Sequence, residues 1–195
     1  MGKAERTKQY ILEKASIILN EKGISGTTVD SVLEAADVAR GCLYGHFLNK
    51  DALCNETADY LLDLNDRKTI EFVTKEKTAK GRIHAYLKFN SDPLNTVIQG
   101  GCPIMNLAAE ADDNNPVIKE KVKKNMIAAQ KFLSDILDEG IKNGEFKDSL
   151  NPDEFAIKLF SSVQGGIVIG RTLGSAQPMR ALIKSLKSEL KTFEK

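Results

Sequence analysis

The chain has little of the chemistry on which enzymes, secreted proteins and metal sites are usually built. Cysteine occurs three times in 195 residues (Cys42, Cys54 and Cys102) and histidine only twice (His46 and His84). Three scattered thiols make no disulfide framework. Cys42 and Cys54 lack the second CxxC or HxxxH pair that a zinc site needs. No metal and no cofactor is expected, and the thiols read as free cysteines of a reducing compartment, with a redox-sensing thiol as the competing reading. No apolar run approaches the roughly 20 residues that span a bilayer. The opening MGKAERTKQY is charged rather than apolar, and Arg6 stands where a myristoylation signal needs Ser or Thr. No membrane partner is expected, and the expected location is the cytoplasm. Paired carboxylates, a nucleophile with its base and a phosphate-binding glycine loop are also missing, which argues against an enzyme. The acidic cluster Glu110, Asp112 and Asp113 precedes Pro116 at a helix start, where acids complement the helix dipole. Net charge is only +1. That does not exclude nucleic acid, because phosphate contact needs a local patch of aimed donors rather than a basic chain.

What is present is helix. Ile11, Leu12, Ala15, Ile18 and Leu19 fall on one helical face that ends at Gly23. Thr27 and Thr28 offer an N-cap to a short second helix carrying Val29, Val32 and Leu33. A break at Asp37 precedes a short third helix, and Asn49 caps a long fourth with Asp51 in its first turn. Ile83, Tyr86 and Leu87 mark a fifth helix that ends before Pro93. Residues 93–103, with two prolines and Gly100-Gly101, read as a loop. Pro103, Pro116, Asn151-Pro152 and Pro178 each open a further helix. No segment alternates with period 2, and no internal repeat appears. The expected class is all-α, with a three-helix helix-turn-helix domain over 1–48 and a six-helix body over 49–195.

The specific part is Thr27 to Leu53. Two short helices across a tight turn form the unit that places its second helix in a DNA major groove. Val29, Val32 and Leu33 can pack on Leu43, Phe47, Ile18 and Leu19. Ala36 is small where the helices meet, and Asp37 tolerates the left-handed backbone of the turn.

This stretch resembles the DNA-binding region of the TetR (tetracycline-repressor) family of bacterial regulators. The resemblance rests on Ile11-Leu12, Ala15, Lys22-Gly23, Thr27-Thr28-Val29, Ala35-Ala36, Val38, Gly41, Leu43-Tyr44, His46-Phe47, Lys50 and Leu53. It covers about the first 55 residues, and beyond them only the succession of helices is similar. It implies a regulator, expected to be a repressor, that binds double-stranded operator DNA as a homodimer and is released by a small-molecule effector. The implied DNA-binding residues are Thr27, Thr28, Ala39, Arg40, Gly41, Cys42, Tyr44, His46 and Lys50. Thr28 would set a helix start against a phosphate, and Tyr44, His46 and Lys50 would contact further phosphates. Arg40 would either read a base edge or clamp a phosphate, and His46 also reads as a plain surface or core residue. Ala39, Cys42, Gly45 and Leu48 depart from the family's usual hydroxyl, small or polar, aromatic and basic residues. The operator sequence is therefore not transferable from a relative.

Residues 1–50 hold seven basic side chains against six acidic ones, so a single head binds weakly and two tethered heads bind far better. The resemblance implies dimerisation through the last two helices, with Phe160, Val163, Gly166, Ile167, Gly170, Leu182 and Leu186 as candidate interface residues. An ordinary intrachain core is the alternative for these positions. It also implies an effector pocket in the body, with Tyr60, Leu64, Tyr86, Phe89, Met105, Met126 and Phe132 as candidate lining. These too read alternatively as plain core. Residues 100–106 stand out as a pocket edge or hinge. The competing functions are a DNA-binding protein without an effector and a helical enzyme or interaction module.

Overall fold

The computed structural model describes residues 2–96 and 98–195. Among the described residues there are nine helices and no strand, apart from an isolated bridge between Phe146 and Glu194. The helices are α1 (Lys3–Gly26), α2 (Val29–Ala36), α3 (Arg40–His46), α4 (Lys50–Val73), α5 (Ala79–Phe89), α6 (Pro103–Ala111), α7 (Pro116–Lys142), α8 (Pro152–Thr172) and α9 (Gln177–Thr192). This is the all-α order the sequence predicts.

Most helix starts have a local cause. The Thr28 hydroxyl accepts the Ser31 N–H at 3.1 Å, while the Ser31 hydroxyl accepts the Thr28 N–H at 3.2 Å, a reciprocal cap on α2. Side-chain oxygens of Asn49, Thr78, Asn115 and Asn151 accept the N–H groups of Ala52, Gly81, Ile118 and Glu154. Each satisfies one of the donors that a helix start leaves unpaired. Pro103, Pro116 and Pro152 are first residues of their helices, where the missing N–H costs nothing. Between α2 and α3, Asp37 adopts φ 49° and ψ 49°, the left-handed turn expected there.

The chain forms two compact units, Met1–Asn65 with Ile98–Lys123, and Asp66–Val97 with Lys124–Lys195. The first has a core of Ile11, Leu12, Ala15, Val32, Ala36, Leu43, Phe47 and Leu53, with Ile18, Val29, Leu33, Val38 and Tyr60 packed against it. α1 breaks at Gly23 (φ 74°, ψ 179°) before a final turn. The stretch expected as a pocket edge or hinge is tied to α1 here. Nδ2 of buried Asn20 donates to the carbonyls of Gln99 (2.7 Å) and Gly101 (3.1 Å), and Asn106 Nδ2 donates back to the Asn20 carbonyl at 2.9 Å. Gly100 has φ 98°, and a β-carbon there would stand 2.8 Å from that same carbonyl.

In the second unit α8 packs on α9. Phe160, Val163, Ile167 and Leu186 are each at most 5% exposed within their own protomer, and Leu182 is half-buried. A β-carbon on Gly166 would lie 2.8 Å from Met179 Cε, and one on Gly170 would lie 2.6 Å from Pro93 Cγ. For Phe160, Val163, Gly166, Ile167, Gly170 and Leu186 this corrects the expectation of a face between subunits, because residues already covered by their own protomer have no surface to offer. The exposed apolar residues of α8 are Ile157, Val168 and Ile169.

Candidate nucleic-acid interface

The candidate interface is built on α2 and α3. Leu43 and Phe47 anchor α3 in the first unit's core, and this anchoring turns Arg40, Gly41, Tyr44 and Gly45 outward, all exposed. They fall at i, i+1, i+4 and i+5, one face of the helix. A β-carbon on Gly41 or Gly45 would meet nothing within 4 Å, so intramolecular packing asks for glycine at neither position. Leu48 follows at 87% exposure. Cys42 and His46 sit half-buried at the edges of this face, and the His46 ring meets Phe47 edge-on at 6.4 Å. Ala39, the exposed residue before α3, makes no side-chain cap.

Thr28 lies exposed at the start of α2. Thr27 does not share that role. It is 1% exposed, its hydroxyl donates to the Gly23 carbonyl at 2.6 Å, and its N–H donates to the same carbonyl at 3.1 Å. The expectation that Thr27 contacts DNA is corrected, since both donors close the break in α1. Lys50 begins α4, half-buried.

Three features of the site were not predicted. Arg40 Nη2 donates to Asp30 Oδ1, an ion pair across the two helices of the motif. Glu110 of α6 accepts the N–H groups of Ile24 (2.6 Å) and Ser25 (2.7 Å), just after the break at Gly23. Burial would raise the Glu110 pKa, but the hydrogen bonds from Ser25 and Ile24, helped by the charge of Lys50, hold it below the ordinary carboxylate value. Lys8 pairs with Glu56 at 2.6 Å while lying 5.4 Å over the Phe47 ring, which ties α1 to the start of α4. Of these, only Asp30, an acid in a first helical turn, left a local trace in the sequence. No group of His, Cys, Asp and Glu among the described residues could hold a metal ion, and no described helix is long and apolar enough to cross a membrane.

Residues 79–186 match the family described as "Tetracyclin repressor-like, C-terminal domain", and residues 11–57 match "Bacterial regulatory proteins, tetR family". The chain belongs to the TetR family. The HTH-type transcriptional repressor DhaR of Mycobacterium sp. (strain GP1) is 25% identical over 173 residues, 88% of this chain and 86% of that protein. The regulator AcrR of Shigella flexneri is 38% identical over 53 residues, covering 27% of this chain and 25% of that protein. The crystal structure of a TetR-family regulator from Cytophaga hutchinsonii superposes with a TM-score of 0.92 at 26% identity, covering 100% of this chain and 98% of that one. This TetR-family chain is therefore a helix-turn-helix DNA-binding transcription regulator and not an enzyme.

The residues expected to line an effector pocket fall in different surroundings. Tyr60 packs on the core of the first unit, and Tyr86 is 6% exposed. The Phe89 ring lies 5.4 Å from that of Phe72, tilted by 50°. Leu64, Met105, Met126 and Phe132 are half-buried. Three buried acceptors that were not predicted, Asn55 Oδ1, Asn125 Oδ1 and Gln164 Oε1, find no donor among the described residues.

Proposed function

We propose that this regulator is a repressor that binds its operator as a homodimer and leaves it when a small molecule binds the body. The observation that carries the DNA reading is the outward face of α3, where Arg40, Gly41, Tyr44 and Gly45 lie exposed beside the capped start of α2 at Thr28. Arg40 reads a base edge. Thr28, Tyr44, His46 and Lys50 meet phosphates, while Ala39, Gly41 and Cys42 let the backbone come close to the groove. Residues 1–48 act as the DNA head and residues 49–195 as the effector-binding and dimerisation body, at work in the cytoplasm where the DNA is. The repressor named DhaR, similar over most of the chain, supports repression over activation.

Dimerisation through α8 and α9 uses their outer faces. On α8 these carry Ile157, Ser161, Gly165, Val168 and Ile169; on α9 they carry Ala181, Ser185 and Ser188. Small residues in such stripes let helices approach closely. The effector sits among Tyr60, Leu64, Tyr86, Phe89, Met105, Met126 and Phe132.

Binding of the full-length protein to the promoter region of its own gene, measured across salt concentrations beside a random-sequence duplex, tests this. Preference for the promoter is the expected result, and equal affinity for the two duplexes would sink the reading. Arg40→Ala should relax base preference at one position, whereas Lys50→Ala should weaken all duplexes alike and flatten the salt slope by about one unit.

A further inference from the structure

We propose that Asp30 determines specificity by holding the Arg40 guanidinium in the orientation that reads a base edge. The inference rests on the DNA-binding role assigned to α3 above. Arg40 is the first residue of α3, and Asp30 lies in the first turn of α2, two residues beyond the Thr28 cap. The Nη2 donation from Arg40 to Asp30 Oδ1 therefore spans the two helices of the motif.

The pair is poorly explained as a device for folding. The Arg40 and Asp30 side chains are 57% and 78% exposed, and an ion pair in that setting contributes little stability. Asp30 also works against binding in general, since a carboxylate on a DNA-facing surface repels phosphates. A residue that weakens every encounter and barely supports the fold makes sense if it discriminates among encounters.

The geometry supplies the discrimination. An unrestrained arginine on a flexible stem meets a phosphate as readily as a base. Asp30 takes one of the five guanidinium N–H donors and leaves four, enough for a bidentate contact with the O6 and N7 of guanine. The restraint removes rotamer freedom before DNA arrives, so less is lost on binding. Partial neutralisation of Arg40 lowers its attraction to any phosphate, whereas an aligned fork keeps its match to guanine.

The test selects the best duplex for the full-length wild-type protein from a randomised pool. Wild type, Asp30→Ala, Asp30→Asn, Arg40→Ala and the double variant Asp30→Ala/Arg40→Ala are then titrated against that duplex, its single-base variants and a random-sequence duplex. Asp30→Ala should bind the random duplex about 3-fold tighter. It should also lose about 5- to 10-fold of the preference at one base pair per half-site, the same pair that Arg40→Ala relaxes. Asp30→Asn keeps an acceptor for Nη2, so it should tighten both duplexes and retain most of the preference. In the Arg40→Ala background, Asp30→Ala should change no base preference further. If Asp30→Ala tightened all duplexes equally with preference intact, Asp30 would be only an unfavourable charge and the proposal would fall. Loss of preference at a different base pair from Arg40→Ala would overturn it as well. A wild-type protein that selects no sequence at all would remove the DNA reading itself, and the wild-type arm alone reveals that outcome.

Discussion

The carboxylate of Glu110 occupies the space that a β-carbon on Gly23 would need. Gly23 has φ 74° and ψ 179°, a backbone region that is nearly closed to side chains. The conformation turns the next two N–H groups toward Glu110. Gly23→Ala should therefore carry both backbone strain, about 1–3 kcal/mol, and displacement of Glu110. Urea denaturation of Gly23→Ala, Glu110→Ala and the double variant checks this. Strong non-additivity is expected, since removing Glu110 also removes the clash. If the two losses simply added, the two residues would not share one site.

The same contact makes stability depend on pH. The Glu110 pKa lies below its ordinary value of 4.5, so the folded state favours the carboxylate. The stabilisation is complete above 4.5 and is lost as pH falls through the lower folded-state value. Because Glu110 is partly exposed, its two charge-assisted hydrogen bonds are worth about 1 kcal/mol together. Glu110→Gln should be less stable than wild type at neutral pH, and the gap should shrink as pH falls below the ordinary carboxylate value and through the lower folded-state one. A gap that stayed constant or widened in acid would contradict the assignment.

These contacts also mark where sequence reading stops. The boundaries of α2, α3, α4 and α8 were legible because Thr28, Asp37, Asn49 and Asn151-Pro152 act on the backbone within a few residues. The outward face of α3 followed from the anchoring of Leu43 and Phe47 in the core. Glu110 and Ile24 lie 86 residues apart, and nothing local in either segment names the other. Thr27 and Thr28 look alike as a sequence pair, yet the break at Gly23 buries one and exposes the other. α8 misled for a different reason. It carries apolar residues on both faces, with Leu159 and Val163 buried and Ile157 and Val168 about half exposed, so apolarity alone does not mark its inner face.

That second face of α8 can be tested against the inner one. Gly170→Ala would set a β-carbon 2.6 Å from Pro93 Cγ and 3.0 Å from the Ser175 carbonyl. Neither neighbour is a flexible chain end, so the variant should lose about 1–3 kcal/mol of stability. Val168→Lys changes an exposed residue and should leave helix content intact by circular dichroism. Under the proposed dimerisation it should shift the protein to monomer in sedimentation velocity, through a buried charge repeated on both subunits. A fully dimeric Val168→Lys would move the interface elsewhere.

The three thiols should separate by environment. Cys54 and Cys102 are 2% and 7% exposed, and burial pushes the Cys54 pKa up against the opposing charge of Lys50. Both should be shielded and slow. Cys42 is half-exposed on α3. Reaction with a chromogenic disulfide at neutral pH should therefore release one equivalent per chain quickly and the other two only on unfolding. Cys42→Ser should abolish the fast phase. If Cys42 lies against DNA, saturating operator should slow that phase, while alkylation of Cys42 beforehand should weaken operator binding. A fast phase of two or more equivalents would mean that Cys54 or Cys102 opens to solvent in the native protein, and a fast phase indifferent to operator would place Cys42 outside the DNA contact.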